Sequence, residues 1–276
     1  MGLLARHWTR IAVTLLPLLF ALLHATGKVP LAALERLDLA LYDARLRATM
    51  PKTMDQRIVI VDLDEKSLAE VGRWPWSRNR LAELTDELFD RQQVAMLGFD
   101  VVFAEPDDSS GLSRLRQLSQ GELKDQAGFN DRLNQLAPSL DYDGLFAKAL
   151  KNRPVVLGYY LTSDREGRTS GVLPAPVIRK EQLQGRAVRL FSWNGYGSNI
   201  EVLAKAAPLA GYFNPVSDLD GVVRAVPLLA EYNDQFYEPL SLAMYRVLAG
   251  GPSVEPGLPK GRLAGRDYQG LESVNL

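Results

Sequence analysis

The chain contains no cysteine among its 276 residues. This absence excludes thiolate metal sites, cysteine nucleophiles and structural disulfides. Histidine is almost as scarce, because the two that are present, His7 and His24, both lie in or beside the N-terminal apolar segment. The rest of the chain therefore has no imidazole for a Ser-His-Asp triad, a histidine metal ligand or the commonest general base.

An excess of positive charge is also missing. Lysine and arginine number 32 against 33 aspartates and glutamates, which gives a formal net charge of −1. Proteins that bind nucleic acid need basic side chains to neutralise phosphates, so we expect no nucleic-acid partner. The sequence also lacks a glycine-rich phosphate loop, a zinc pattern and a nucleophile elbow, and we therefore expect no catalytic residues in it.

An uncharged apolar run extends from residue 11 to residue 26. Its 16 residues rise about 24 Å as a helix against a hydrocarbon core of about 30 Å, so a flanking residue such as Trp8 must help it span a bilayer. Arg6 and Arg10 precede the run, and the positive-inside rule places them in the cytoplasm. The pattern predicts a cytoplasmic stub at residues 1–10 and a transmembrane helix at residues 11–27.

A cleaved signal peptide is the alternative interpretation of the same run. Ala25-Thr26-Gly27 offers small residues at the spacing that signal peptidase prefers, and the apolar run is short. Both interpretations export the remainder of the chain, so they agree on an extracytoplasmic location for its body.

A linking amphipathic helix is predicted over residues 28–50. Leucines at 31, 34, 37 and 41 are continued by Ala44 and Ala48 at three- and four-residue steps, which is the spacing of one helix face. This stripe either packs on the chain's own body or pairs with a second chain. Residues 51–276 then form the extracytoplasmic domain.

The body shows the alternating pattern of an α/β fold. Apolar, β-branched runs flanked by charge predict strands that are buried on both faces of a sheet. These strands lie at residues 57–64, 94–103 and 154–161. Helical patterns separate them, near residues 65–70, 79–91 and 142–152. This order predicts right-handed crossovers and a mixed, largely parallel sheet flanked by helices, preceded by the transmembrane helix and the long amphipathic helix.

Residues 107–140 interrupt this pattern because they are mostly polar, and they predict a surface excursion that is mobile or lid-like, with a short helix at its start. Beyond residue 162 the chain is rich in loops. Two further strands, 211–213 and 222–229, are predicted on either side of a tight turn at Asp220-Gly221. A last helix is expected over residues 239–248.

Five acidic residues lie at or just after the carboxyl ends of the first two predicted strands. They are Asp62, Asp64, Asp100, Glu105 and Asp107. Open α/β sheets place their ligand crevice at the carboxyl ends of parallel strands, so these side chains are candidates for a ligand-binding site. Converging carboxylates bind magnesium or calcium, for which Asp62, Asp64 and Asp100 are the candidates, or they hold a cationic ligand.

Other roles stay open for the same side chains. Asp64 is suited to cap a helix, and Asp62 or Asp100 is suited to pair with Arg78 or Arg57. Two aspartates two residues apart after a first strand also occur in aspartate-dependent phosphoryl enzymes, which gives Asp62 and Asp64 a catalytic alternative.

Four more side chains are candidates for ligand contacts: Trp74, Trp76, Arg78 and Arg224. Pro75 fixes the backbone between Trp74 and Trp76, so the two rings either form a binding platform or close one edge of the core. Arg224 follows the predicted hairpin and either grips an anionic group by bidentate hydrogen bonds or forms a surface salt bridge.

Several short blocks occur in a fixed order between residues 40 and 250. They are Tyr42-Asp-Ala-Arg45, Ile58-Val-Ile-Val-Asp-Leu-Asp64, Gly72-Arg-Trp-Pro-Trp-Ser-Arg78, Gly98-Phe-Asp-Val-Val-Phe-Ala-Glu-Pro-Asp107 and Asp220-Gly-Val-Val-Arg224. This series resembles the CHASE sensory domains of the second type. The resemblance implies a sensor on the outer side of a bacterial inner membrane, commonly followed by further membrane helices and a cytoplasmic adenylate or guanylate cyclase or a kinase.

From this resemblance we expect the chain to be the N-terminal part of a bacterial membrane receptor. An adenylate or guanylate cyclase is the favoured output enzyme, and it lies outside this chain. The expected partners are the membrane, an unknown small-molecule or envelope ligand, and a second copy of the chain, since such outputs work as pairs. Two alternatives remain: an exported metal-dependent phosphoester hydrolase that uses the acidic residues, and a structural envelope protein.

Overall fold

The computed structural model of the chain describes residues 3–29, 31–186, 188, 190–258 and 270–276. Contacts divide the chain into two units. The first unit comprises Met1–Asp62 with Ser217–Val222, and the second comprises Leu63–Val216 with Val223–Leu276.

The first unit contains two helices, α1 (Leu3–Ala25) and α2 (Ala32–Thr49). Leucine and alanine, which are strong helix formers, dominate both. Among the described residues, one helix, over His7–Ala25, is long and apolar enough to cross a membrane, and a signal sequence has the same properties. α2 confirms that a helix lies within the predicted residues 28–50. None of its residues is buried, and Leu37 and Leu41 of its leucine stripe are exposed.

The predicted strand at residues 57–64 is wrong. These residues form no regular secondary structure up to the start of the next helix, and the side chains of Ile58, Val59 and Ile60 are 74%, 78% and 87% exposed. The apolar run indicated strand propensity correctly, but a strand also requires a neighbour with which to exchange hydrogen bonds, and the sequence of one segment does not determine that neighbour.

The predicted strand at residues 222–229 is also wrong. The turn before it does form, because the N–H of Asp218 donates to the carbonyl of Val222 at 3.0 Å. Beyond the turn only an isolated bridge joins Val216 to Ala225. Pro227 has no N–H to donate to a ladder, which disfavours a regular strand at this position.

The second unit is built from helices and short strands. Its helices are α3 (Glu65–Val71), α4 (Arg78–Asp86), α5 (Leu112–Gln120), α6 (Ala127–Leu140), α7 (Tyr142–Leu150), α8 (Glu201–Ala206) and α9 (Leu240–Leu248), with a π-helical turn at Glu87–Arg91 and a 3-10 turn at Lys180–Leu183. Its strands are β1 (Leu97–Phe99), β2 (Val155–Thr162), β3 (Thr169–Ser170), β4 (Ile178–Arg179), β5 (Phe191–Trp193), β6 (Gly195–Gly197), β7 (Ala210–Tyr212), β8 (Ala230–Tyr232), β9 (Gln235–Tyr237), β10 (Glu255–Gly257) and β11 (Ser273–Asn275).

The main sheet is mixed, as predicted. β1 and β7 each pair parallel with β2, in the registers Leu97↔Val155 and Leu157↔Ala210. The end of β2 then pairs antiparallel with β6, which in turn carries β3. A second sheet has the order β4-β9-β8-β5, and β10 pairs with β11. The α/β class is therefore confirmed, although the third parallel strand is β7 instead of residues 57–64.

One hydrophobic core places the beginnings of α4 and α7 close to the end of β1. Leu81 of α4 and Leu150 of α7 pack in a single cluster with Phe103, which follows β1, and with Phe146. The rings of Phe103 and Phe146 meet edge to face with their centroids 5.3 Å apart, which is a favourable arrangement for aromatic pairs. The side-chain oxygen of Asn199 accepts the N–H of Phe103 at 2.8 Å and fixes the backbone there.

Candidate functional site

The first part of the site is the N-terminus of α4, where Arg78 begins the helix. The side chain of the preceding Ser77 makes no capping hydrogen bond. The carboxylate of Asp107 accepts the Arg78 N–H instead, at 2.6 Å. A residue 29 positions away thus satisfies one of the free N–H groups with which every helix begins.

The second part is the loop that carries Asp107. One carboxylate oxygen of Asp107 also accepts the N–H of Ser109 at 2.9 Å, and the N–H of Asp107 donates to Asp143 at 2.9 Å. Asp143 lies in the first turn of α7, directly after the helix cap formed by Asp141. The loop therefore joins the beginnings of two helices, α4 and α7.

The third part is the side chain of Arg78, which is only 9% exposed as a residue. Its guanidinium carbon lies 4.4 Å from the centroid of the Phe103 ring, and Nη2 makes a long contact of 3.4 Å with the carbonyl of Glu105. Nε lies 3.6 Å from Oδ1 of Asp143. At this distance the two groups form an ion pair without a hydrogen bond. Both atoms are buried, and neither has a hydrogen-bond partner among the described residues.

The two carboxylates of this cluster have opposite pKa shifts. Burial raises the pKa of Asp143, and the hydrogen bond from Asp107 and the charge of Arg78 only partly offset it. Burial also acts to raise the pKa of Asp107, but hydrogen bonds from Ser109 and the Arg78 N–H outweigh it, so its pKa is lowered. Burial lowers the pKa of Arg78, and the charges of Asp143 and Asp107 oppose that change.

The structure brings together three of the predicted site residues, Arg78, Asp107 and Glu105. Glu105 takes part through its carbonyl, while its side chain is exposed. Asp143 completes the cluster and was not predicted. The sequence shows only an aspartate in the first turn of a predicted helix. Acidic residues are common at that position because they interact favourably with the helix dipole, so the position does not indicate a functional site.

The other predicted acidic residues have different surroundings. Asp64 caps α3, accepting the N–H and the hydroxyl of Ser67 at 2.8 and 2.7 Å, which confirms the capping alternative. Asp62 belongs to the first unit, and Asp100 is exposed after β1. Their expected convergence depended on a strand at residues 57–64, and that strand does not form.

The remaining candidates are aromatic and basic. The Trp76 ring packs against the core cluster, and its Nε1–H donates to the carbonyl of Gly72 at 2.8 Å. The Trp74 ring meets it edge-on at 6.1 Å and is 37% exposed. Arg224 is half-buried in the irregular stretch after the turn. Arg57, considered as a partner of Asp62 or Asp100, pairs with Asp55 at 2.6 Å.

Metal binding has no geometric support in the part of the chain that the structure describes. No group of three or more histidine, aspartate or glutamate side chains is placed to hold a metal ion there. Asp62, Asp64 and Asp100 therefore form no such group, and no cofactor is indicated.

A groove of about 530 Å³ is lined by residues of α4 and α7, the two helices that begin at the cluster. Its walls carry both signs of charge, including Glu83 and Lys148. Oδ1 of Asn79, which also lines the groove, is buried and has no hydrogen-bond partner among the described residues. The volume lies in the range of small-molecule sites, so the groove can hold a small polar ligand.

Comparison with known proteins identifies one family. The model of the CHASE2 domain matches residues 13–269, which is most of the chain. Neither a curated protein nor a solved structure matches it. The match agrees with the ordered blocks between residues 40 and 250. The chain therefore belongs to the CHASE2 family of extracellular sensory domains.

Proposed function

We propose that this chain is the extracytoplasmic sensor of a bacterial membrane receptor and that it regulates a cytoplasmic cyclase or kinase. The observation that carries the proposal is the CHASE2 match over residues 13–269, which begins inside the apolar helix α1. A sensory domain that is continuous with a candidate membrane helix has a direct physical route to the other side of the bilayer.

The connection between α1 and α2 supports this route. The imidazole Nδ1 of His24, in the last turn of α1, accepts the N–H of Leu31 at 3.1 Å. The backbone N–H groups of Thr26 and Gly27 donate to carbonyls of α1 at 3.0 and 2.8 Å. Hydrogen bonds thus tie Thr26, Gly27 and Leu31 to the end of α1, and α2 is a helix of 18 residues. Rigid elements of this kind transmit displacements better than flexible linkers do.

A fusion experiment tests the location. Alkaline phosphatase, which folds actively only outside the cytoplasm, and green fluorescent protein are each fused after Leu276. We expect phosphatase activity and no fluorescence, because Arg6 and Arg10, which precede the apolar run, favour a cytoplasmic N-terminus. The inverse result would refute the orientation. Substituting Arg6 and Arg10 by glutamate provides the control, since it removes the charge bias.

A second experiment tests signal relay in the receptor that contains this chain. Residues 31–49 are replaced by a Gly/Ser linker of the same length, and the cyclase or kinase output is measured with and without the stimulus. We expect regulation to be lost and basal output to remain. The matched control replaces the same residues by an Ala/Lys/Glu helix, which keeps the rigidity. Unchanged regulation with the flexible linker would contradict the proposal.

The hydrolase alternative makes a different prediction. It requires magnesium-dependent cleavage of a phosphoester by the purified chain and loss of that activity in Asp62→Asn. The structure gives this alternative no support, since Asp64 is used as a helix cap and no three-residue metal group occurs among the described residues.

A further inference from the structure

The cluster of Arg78, Asp107 and Asp143 has a charge imbalance. One buried cation faces two carboxylates, and the exposed fractions of the Arg78 and Asp143 side chains are 11% and 14%. Asp141, at the beginning of α7, adds a third negative charge nearby. With both carboxylates ionised the cluster carries an uncompensated negative charge, and a charge without a counter-charge is unfavourable to bury.

The hydrogen bonds show which carboxylate keeps its charge. Asp107 accepts N–H groups from Arg78 and Ser109 on its two oxygens, at 2.6 and 2.9 Å. Asp143 accepts one N–H on Oδ2, and its Oδ1 is buried 3.6 Å from Nε of Arg78 without a hydrogen-bond partner among the described residues. Donors stabilise a carboxylate, so Asp107 keeps its charge more readily than Asp143, and Asp143 is the member of the pair that takes a proton first.

We propose that the cluster is a proton-binding site, in which uptake of one proton by Asp143 balances the charge of Arg78 and Asp107 and holds the loop 104–109 on the beginnings of α4 and α7. The proposal rests on the sensory function proposed above and gives it a stimulus, the acidity outside the membrane. Arg78 from α4, Asp107 from the loop and Asp141 from α7 are the charged groups that act on Asp143.

The direction of the response follows from linkage. In the closed loop the pKa of Asp143 is raised, so protonation favours the closed state over an open state in which Asp143 is solvated. The pKa of Asp107 is lowered, so closure fails only when the pH falls far enough to protonate Asp107 as well. The loop is therefore closed while Asp143 is protonated and Asp107 is ionised, and it opens as the pH rises through the pKa of Asp143.

The absence of cysteine makes a direct measurement possible. In the full chain, reconstituted in lipid nanodiscs, Asp108→Cys introduces a single thiol on the exposed part of the loop, and a nitroxide label reports its mobility. The spectrum is recorded from about pH 3.5 to about pH 8, a range that begins near the ordinary pKa of an aspartate. We expect an immobile label at acid pH and a mobile one at the upper end.

Variants distinguish the proton site from a general pH effect. Asp143→Asn, which mimics the protonated acid, should keep the label immobile at both ends of the range. Asp107→Asn removes the ionised partner and should leave it mobile throughout. Glu122→Gln, an exposed acid outside the cluster and the loop, is the control and should respond as the parent chain does. A parent spectrum that is independent of pH, or an unchanged response in Asp143→Asn, would overturn the proposal. The label reports on the loop without any output enzyme. Failure of the proton-site proposal can therefore be told apart from failure of the signal-relay experiment.

Discussion

The ion pair between Glu238 and Arg246 should be far more sensitive to loss of the arginine than to loss of the acid. The exposed fractions of the two side chains are 6% for Glu238 and 18% for Arg246. Nη1 of Arg246 donates to Oε1 of Glu238, while Oε2 is buried and has no partner among the described residues. Arg246 has a second partner, since its Nε donates to the carbonyl of Pro252 at 2.9 Å.

The magnitudes follow from these contacts. Arg246→Met leaves a buried carboxylate without its counter-charge, and removal of one partner from a buried pair typically costs about 3–5 kcal/mol. Glu238→Gln keeps a side-chain oxygen that accepts a hydrogen bond from Arg246, and the partly exposed guanidinium stays solvated. We therefore expect this variant to lower the free energy of unfolding by about 1 kcal/mol. Burial already raises the pKa of Glu238, and Arg246 only partly offsets it. Without Arg246 that pKa rises further.

The assay is urea unfolding of the full chain in detergent micelles, followed by tryptophan fluorescence at about pH 4.5 and about pH 7.5. A raised carboxyl pKa gives stability that is present at low pH and is lost as the pH rises through that pKa. The loss of unfolding free energy in Arg246→Met, relative to the parent chain, should therefore be small in acid and large near neutrality. The corresponding loss in Glu238→Gln should not grow with pH. Equal deficits in both variants at both pH values would refute the reasoning.

Three other predictions concern the core, a helix cap and assembly. Phe146→Ala, at a fully buried position, should lower the free energy of unfolding by about 3–5 kcal/mol, measured by urea denaturation. Asp64→Ala removes the acceptor of the Ser67 N–H, so amide exchange at that position should accelerate in mass spectrometry. If the open stripe of α2 pairs two copies, Leu37→Asp with Leu41→Asp should halve the mass measured by light scattering, and an unchanged mass would exclude α2 as the interface.

Much of the fold was predictable because its signals are local. The spacing of apolar residues located α2, α7 and α9 to within a few residues, and Asp64 followed by a short helix indicated the cap that the structure shows. β2 was predictable as well, because a long β-branched run in the centre of a sheet is apolar on both faces.

The errors concern properties that depend on distant residues. Residues 57–64 have the composition of a central strand, but pairing is decided by which neighbour is available, and the third parallel position beside β2 is taken by β7. For the same reason the acidic cluster was only half predicted. Arg78 and Asp107 belong to blocks that resemble the family, whereas Asp143 joins them through a contact across 36 positions that no local pattern indicates.

The exposed run at residues 58–61 has a practical consequence for handling the protein. Its side chains are apolar, mostly β-branched and between 52% and 87% exposed, without regular strand pairing to satisfy the backbone. Segments of this kind add to strands of other molecules and start aggregates. Concentrated solutions of the chain should therefore form intermolecular β-structure from this segment. A single charge at its most exposed position, Ile60→Lys, should raise the solubility limit without altering the second unit.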